Sequence, residues 1–137
     1  MPGDFIDSNV FIYLFDDVDV RKRMIAENLI TGSIRMESGV ISFQVVQETL
    51  CVITTKLKAS PEDEFLCLER VLSPLWQIMP STGLYARVLG IQSRYQFSFY
   101  DALIVAAALE AGCSRLLTED LHHGQELEGL RIENPSL

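Results

Sequence analysis

The sequence predicts an α/β protein, a three-layer sandwich in which helices cover both faces of a mostly parallel sheet. Two observations lead to this prediction: short apolar runs alternate with helical segments along the chain, and each run is continuously apolar. Strands with this composition are buried on both faces, as in parallel sheets covered by helices. Because ligands of such folds bind outside the carboxyl ends of the strands, we look for a site among the residues that follow each strand.

Five short segments have the composition of buried strands. The first strand ends directly before Asp7, and the fourth runs into a polar Thr-Glu-Asp sequence. The predicted strands are DFI at 4–6, GVISF at 39–43, WQIM at 76–79, SRLLT at 114–118 and LRIE at 130–133.

Helical segments connect these strands, and their starts carry capping signals. The polar sequence DDVD separates the first two helices. Ser60 precedes a proline and two acids, which is a strong helix start, and Ser81 caps the next helix. The predicted helices cover approximately residues 10–15, 20–30, 44–55, 61–72, 82–95 and 98–112.

Composition indicates one globular domain over residues 1–137. The chain is 48% hydrophobic and has no linker, internal repeat or low-complexity run, and a chain of this length buries roughly two-thirds of its unfolded surface. Asp4 and Asp7 stand where a secretory signal needs a basic end, and no apolar run approaches the roughly 18 residues of a membrane span. We therefore expect a cytoplasmic protein that does not associate with membranes.

The cysteines and the net charge narrow the function. The three cysteines form no C-x-x-C pair, so we expect buried, reduced thiols and neither a disulfide nor a thiolate zinc site. The formal net charge of −8 argues against a general nucleic-acid binder. Divalent cations held by carboxylates would invert the local field and still allow contact with a polyanion at one point. Acidity also favours a basic partner.

Asp101 is a single carboxylate in the first turn of a helix that is otherwise apolar nearly all round. One interpretation is a capping box, in which Ser98 bonds the amide of residue 101 and the carboxylate bonds the amide of residue 98. An anion at a helix N-terminus also gains about 0.3 to 1 kcal/mol from the helix dipole. Capping and a functional role are compatible, so both interpretations stay open.

Glu48 lies on a helix face whose neighbours are mostly apolar. A carboxylate on an inward face has to be paired, protonated or bound to a metal ion, and the nearest lysines, Lys56 and Lys58, lie beyond the end of the helix. The alternative is a glutamate at the rim of that face that reaches solvent.

Four carboxylates thus follow strands or lie on the helices after them: Asp7, Glu48, Asp101 and Asp120. If they converge, they repel one another unless cations intervene. Ligand sets made only of oxygen suit Mg²⁺ or Mn²⁺, and such ions at a phosphodiester promote hydrolysis.

Four stretches of the chain, in order, resemble the acidic motifs of PIN-domain ribonucleases, in particular the VapC-type toxins of bacterial toxin–antitoxin pairs. They are FIDSNVFIYLF around Asp7, VISFQVVQETL around Glu48, QFSFYDALIVAAALEAG around Asp101 and RLLTEDLHHG around Asp120. The resemblance implies a five-stranded sheet of order 3-2-1-4-5 and cleavage of single-stranded or looped RNA with Mg²⁺ or Mn²⁺.

The resemblance also assigns individual residues. Those that match the family's metal-binding acids are Asp7, Glu48, Asp101 and Asp120. The fourth position is variable in the family, and Glu119 is an alternative to Asp120. Asn9 matches a residue that orients the first aspartate, and Thr118 one that hydrogen-bonds within the site. The family further implies a homodimer, inhibited by a small antitoxin that lies across the acidic groove.

Other functional classes fit less well. A haloacid-dehalogenase-like phosphatase needs D-x-D after the first strand, and Asn9 stands in place of the second aspartate. The glycine-rich motifs of nucleotide-binding modules are missing from the sequence. A PIN-like module that binds proteins and has weak or no catalytic activity stays open as the alternative.

Overall fold

A computed structural model of the protein describes residues 3–137 and contains one six-stranded sheet. Met1 and Pro2, which the one-domain prediction includes, lie outside the described residues. In chain order the strands are β1 (Asp4–Ile6), β2 (Gly39–Ser42), β3 (Trp76–Ile78), β4 (Arg115–Leu117), β5 (Glu126–Leu127) and β6 (Leu130–Glu133).

The strand order is β3-β2-β1-β4-β6-β5, and every pair is parallel except β5 with β6. The predicted order is therefore confirmed, with the predicted fifth strand appearing as β6. The additional strand is β5, which forms a hairpin with β6. Glu128 and Gly129 both have positive φ at this turn, as a two-residue hairpin of the primed type requires. Two residues are too few to give a recognisable strand pattern.

Helices fill the connections, in the places where the sequence predicts them. They are α1 (Ser8–Ile12), α2 (Val20–Arg35), α3 (Phe43–Thr55), α4 (Pro61–Leu66), α5 (Thr82–Tyr95) and α6 (Phe99–Glu110). A 3-10 turn extends α1, and α4 continues as a π-helical stretch over Cys67–Leu72. Helix α2 runs past its predicted end at Ile30. Over residues 3–137, none of these helices is both long and apolar enough to cross a membrane.

The core shows that both faces of the sheet are covered. Phe5 and Ile6 are consecutive in β1, so their side chains point to opposite faces, and neither is exposed to solvent. Helix α6 is buried over seven consecutive residues, Ala102–Ala108, which explains why its sequence is apolar nearly all round. The prediction of a sandwich with a doubly covered sheet is confirmed.

The cysteines depart from expectation at one position. Cys67 and Cys113 are buried free thiols, as predicted, but Cys51 is exposed. It lies on α3 three residues after Glu48, and the residues of this face become more exposed from Gln44 to Cys51. The helix face that carries Glu48 therefore extends from the core, at Gln44, to solvent, at Cys51.

The topology determines where the polar strand exits lie. The chain moves from β1 outward to β2 and β3 and then returns to the other side of β1 with β4. Ile6 pairs with Leu117 in register, and the Asp7 amide donates to the Leu117 carbonyl at 3.0 Å. Asp7 and Thr118 thus leave the sheet side by side at its topological switch point.

Candidate active site

Asp7 is the deepest acid at this edge, with only 4% of its surface exposed. It is the N-cap of α1: Oδ1 accepts from the Ser8 amide at 2.7 Å, and Oδ2 accepts from Thr118 Oγ1 at 2.7 Å. Burial raises the pKa of Asp7 from 3.8 to about 6, and the charges of Glu48 and Asp120 raise it further, against the lowering effect of the two hydrogen bonds. The ionised form of Asp7 is therefore unfavourable unless a positive charge lies nearby.

Thr118 links the exits of β1 and β4. Its buried hydroxyl donates to Asp7 and accepts from the Asp120 amide at 3.0 Å and from Asn9 Nδ2 at 3.5 Å. The Oδ1 atom of Asn9 is buried and has no hydrogen-bond partner in the described part of the chain. Asn9 and Thr118 thus lie beside Asp7, where the resemblance places them.

Glu48 reaches the same place from α3. Its Oε1 accepts from Ser8 Oγ at 3.1 Å, and the same hydroxyl lies 3.4 Å from Asp7 Oδ1. One serine therefore joins the carboxylates of Asp7 and Glu48. The glutamate is half-buried, between the inward position predicted for it and the rim position that was the alternative.

Gln44 connects Glu48 to the start of α6. Its Nε2 donates to Glu48 Oε2 at 3.4 Å and to the Tyr100 carbonyl at 3.3 Å. Asp101 follows Tyr100 and is half-buried; its amide donates to Ser98 Oγ at 3.2 Å. This is the first half of the predicted capping box. Among residues 3–137, the Asp101 carboxylate does not accept the return bond from the Ser98 amide.

Glu119 and Asp120 face different surroundings. Glu119 accepts from Tyr13 at 2.7 Å, from Ser136 at 2.6 Å and from Lys22 at 3.4 Å. Partial burial raises its pKa, but these three bonds lower it more, so the pKa of Glu119 lies below its ordinary value. The Asp120 side chain is exposed, and its charge acts on Asp7. Of the two, only Asp120 has a carboxylate that accepts no hydrogen bond and forms no ion pair within residues 3–137.

The structure thus links the predicted acids through neutral side chains. Ser8 joins Asp7 to Glu48, Thr118 joins Asp7 to the Asp120 backbone, and Gln44 joins Glu48 to the residue before Asp101. In the part of the chain that the structure describes, no three side chains among His, Cys, Asp and Glu lie close enough to hold one metal ion. Asp7, Glu48 and Asp120 are close enough for their charges to interact, whereas among the described residues Asp101 is connected to them only through the backbone of Tyr100. The acids do not form a closed ligand cage.

Two residues of this network were not predicted as site residues. Ser8 directly follows Asp7, and Gln44 precedes Glu48 by one helical turn. The only sequence signal for either residue is that it is polar at a position where the hydrophobic pattern predicts a buried side chain. Such a signal does not identify the partners on other elements, which are Glu48 for Ser8 and the Tyr100 carbonyl for Gln44.

A divalent cation fits the chemistry of these donors. Every carboxylate is an oxygen ligand, and each oxygen of Asp7 keeps acceptor capacity beyond its short hydrogen bond. The buried oxygens Asn9 Oδ1 and Gln44 Oε1 also have no partner within residues 3–137. Mg²⁺ usually keeps several waters and binds through one or two carboxylates plus substrate phosphates. An open arrangement of acids is therefore compatible with this ion.

Comparison with known proteins gives one family and one fold. A family model described as the PIN domain matches residues 5–125 of the chain. No curated protein sequence is similar enough to count as a match.

Solved structures share the fold along nearly the whole chain. A DNA-bound VapBC complex from Salmonella typhimurium is 19% identical, with 98% of this chain and 99% of that chain covered and a TM-score of 0.70. A toxin–antitoxin complex from Klebsiella pneumoniae is 18% identical, with coverages of 97% and 98% and a TM-score of 0.69. VapC20 of Mycobacterium tuberculosis, a toxin that cleaves the sarcin–ricin loop, is 17% identical, with coverages of 86% and 92% and a TM-score of 0.62.

Proposed function

Because the chain belongs to the PIN domain family, whose members are typically nucleases, we propose that it is a metal-dependent endoribonuclease, the toxin of a type II toxin–antitoxin pair. The observation that carries this proposal is the junction of Asp7 and Glu48 on Ser8 at the switch point of the sheet. In the proposal, residues 1–137 act as a single PIN-like domain.

The acids proposed to hold Mg²⁺ or Mn²⁺ are Asp7, Glu48, Asp101 and Asp120. When bound, the ion would supply Lewis acidity, which favours ionisation of a water molecule and neutralises charge on the scissile phosphate. The protein's own contribution is orientation. Ser8 and Thr118 each hold one edge of the Asp7 carboxylate, so its remaining lone pairs have a fixed direction.

Burial of Asp7 favours binding of a cation at this position. A carboxylate that is desolvated and close to two other acids is stabilised in its ionised form by any nearby positive charge. Beside it, a cleft of about 440 Å³ offers space for part of a polynucleotide; it is lined by Ser8, Gln47, Glu48, Cys51 and Val52.

We assign a second surface to the antitoxin. A groove of about 420 Å³ lies between α2 and the π-helical stretch. Its lining combines four apolar residues with four polar or charged ones: Leu14, Ile30, Ile34 and Val71, and Glu27, Thr31, Arg35 and Arg70. Amphipathic helices bind in such grooves through apolar side chains spaced one turn apart. The structures from Salmonella typhimurium and Klebsiella pneumoniae are toxin–antitoxin complexes. The net charge of −8 favours a basic inhibitor.

We further propose a homodimer. The surface formed by α5 and the start of α6 exposes Tyr85, Leu89, Phe99 and Tyr100, and the rings of Tyr85 and Phe99 stack. A contiguous apolar surface of this kind is typical of a protein contact, and we assign it to a second copy of the chain.

The second candidate function is a PIN-fold binding module with weak or no catalytic activity. Within the described residues, the lack of three close metal-ligating side chains favours this alternative. Cation dependence separates the two candidates.

The test is incubation of purified protein with labelled single-stranded and hairpin RNA, with Mg²⁺, Mn²⁺ or a chelator. We expect cleavage with either ion and none with the chelator. The variant Asp101→Asn, purified in parallel, should be inactive. Equal cleavage by this variant would indicate a contaminating nuclease, and inactivity of the wild type with every ion would favour the binding module.

A further inference from the structure

Gln44 is a buried polar residue that connects the two helices carrying Glu48 and Asp101. Only 4% of its surface is exposed, although it lies among valines at the start of α3. Its single amide group donates to Glu48 Oε2 at 3.4 Å and to the Tyr100 carbonyl at 3.3 Å. Tyr100 is the residue before Asp101. One side chain therefore spans the gap between the Glu48 carboxylate and the first turn of α6.

The orientation of the amide follows from its partners. A carboxylate and a carbonyl are both acceptors, so only the NH₂ edge of Gln44 can face them. The opposite edge, Oε1, is buried and has no hydrogen-bond partner within residues 3–137. Leaving a buried carbonyl oxygen unpaired is unfavourable. A residue needed only for packing at this position would therefore be apolar, like its neighbours Val45 and Val46.

We infer that Gln44 is a positioning residue for the cation site, an inference that rests on the proposed nuclease function. By holding Glu48 against the start of α6, Gln44 sets the separation between the carboxylates of Glu48 and Asp101. Partners that orient metal ligands typically change metal affinity or activity by about 10-fold to 100-fold when they are removed. The expected effect of losing Gln44 is on cation affinity and turnover, with RNA binding unchanged.

The test compares Gln44→Met with Gln92→Met. Methionine keeps the length and helix compatibility of glutamine and removes its hydrogen bonds. Gln92 is a matched control because its amide also donates to a backbone carbonyl, that of Phe97, at the junction of α5 and α6. Mn²⁺ affinity is measured from free Mn²⁺ by electron paramagnetic resonance, and kcat and KM are measured on a labelled RNA.

For Gln44→Met we expect Mn²⁺ affinity to be about 10-fold weaker, with lower kcat and unchanged KM at limiting Mn²⁺, and recovery of kcat at saturating Mn²⁺. Gln92→Met should match the wild type in all of these measurements. A purely structural role for Gln44 would not give recovery by Mn²⁺. If Gln44→Met does not fold, Gln44→Asn is used, because it keeps an amide that is one methylene too short to reach both acceptors.

The outcomes separate this inference from the proposed function. Wild-type Mn²⁺ affinity in Gln44→Met, or loss of activity that saturating Mn²⁺ does not restore, overturns the role of Gln44 and leaves the nuclease proposal intact. A wild-type protein that neither binds Mn²⁺ nor cleaves RNA overturns both.

Discussion

Helices α4 and α6 begin with the same sequence pattern, a serine followed three residues later by an aspartate. In α4 the Asp63 amide donates to Ser60 Oγ at 3.1 Å, and in α6 the Asp101 amide donates to Ser98 Oγ at 3.2 Å. The two caps are therefore equivalent in local geometry. Their surroundings differ, because Asp63 is exposed, whereas Asp101 is half-buried and follows the residue bound by Gln44.

This difference separates the effects of helix capping from the effects of where the helix lies in the fold. A serine cap and an acid in the first turn stabilise either helix start through the free amides and the helix dipole. Those effects are the same wherever the helix lies. Only the sheet order brings the start of α6 next to the helix that carries Glu48. Capping accounts for the presence of an aspartate at position 101, and topology accounts for its position next to the proposed site.

The largest expected effect is a difference in RNA cleavage between variants of the two capped aspartates. Asp101→Asn should lower RNA cleavage by on the order of 100-fold or more, because it removes a proposed cation ligand. Asp63→Asn should leave cleavage unchanged. Both variants should lose a similar, small stability, at most about 1 kcal/mol from the helix dipole, measured by urea denaturation. A similar loss of cleavage in both variants would mean that the helix cap, and not the site, controls activity.

The second prediction concerns the loss of folding stability that results from burying Asp7 near other acids. Asp7 has a pKa of about 6 in the folded protein, raised chiefly by burial from an ordinary 3.8. Between these values the folded protein holds a proton that the unfolded chain has lost, so the stability contributed by Asp7 falls as pH rises from about 4 to about 6. The expected loss is about 1 to 3 kcal/mol.

The check is urea denaturation of the wild type and Asp7→Asn across this pH range in the presence of a chelator. The stability of the wild type relative to the variant should decline with rising pH, and Mn²⁺ should restore it above about pH 6. A difference that stays constant with pH would show that burial does not raise the pKa of Asp7.

Much of the fold was predictable because its signals are local. Continuous apolar runs identified five of the six strands, and Ser60 and Ser81 marked helix starts that the structure has at the same residues. Strand β5 has two residues and depends on its pairing with β6. No local signal announces a strand of that length.

The candidate site was predictable in its residue types but not in its contacts. Asp7 was identified by its position after the first strand, and the resemblance assigned roles to Asn9 and Thr118; the register of β1 with β4 places the three together. The long-range partners of Ser8 and Gln44, which are Glu48 and the Tyr100 carbonyl, lie 40 and 56 residues away in sequence, on other elements. Contacts between residues this far apart cannot be predicted from one sequence. The same reason left Glu119 and Asp120 open as alternatives for the fourth acid.

The third prediction distinguishes these two adjacent acids and has the smallest expected effects. Glu119→Gln should keep cleavage within about 2-fold and cost about 1 kcal/mol of stability, because it weakens the hydrogen bonds from Tyr13 and Ser136. Since the pKa of Glu119 lies below its ordinary 4.5, its stabilisation is present above that value and is lost as pH falls through the lowered pKa.

Asp120→Asn should do the reverse, with stability unchanged and cleavage reduced by about 10-fold. Its exposed carboxylate makes no hydrogen bond or ion pair with the described residues but faces the proposed cation. Thermal unfolding and initial cleavage rates of the two variants, measured side by side, give both quantities. We expect different effects because the two acids have different partners. Glu119 accepts hydrogen bonds from Tyr13, Lys22 and Ser136. The Asp120 amide instead donates to Thr118, which holds Asp120 near Asp7. If Glu119→Gln proves to be the inactive variant, the cation is bound on the side of Tyr13, and the link from Thr118 to Asp120 is only a turn.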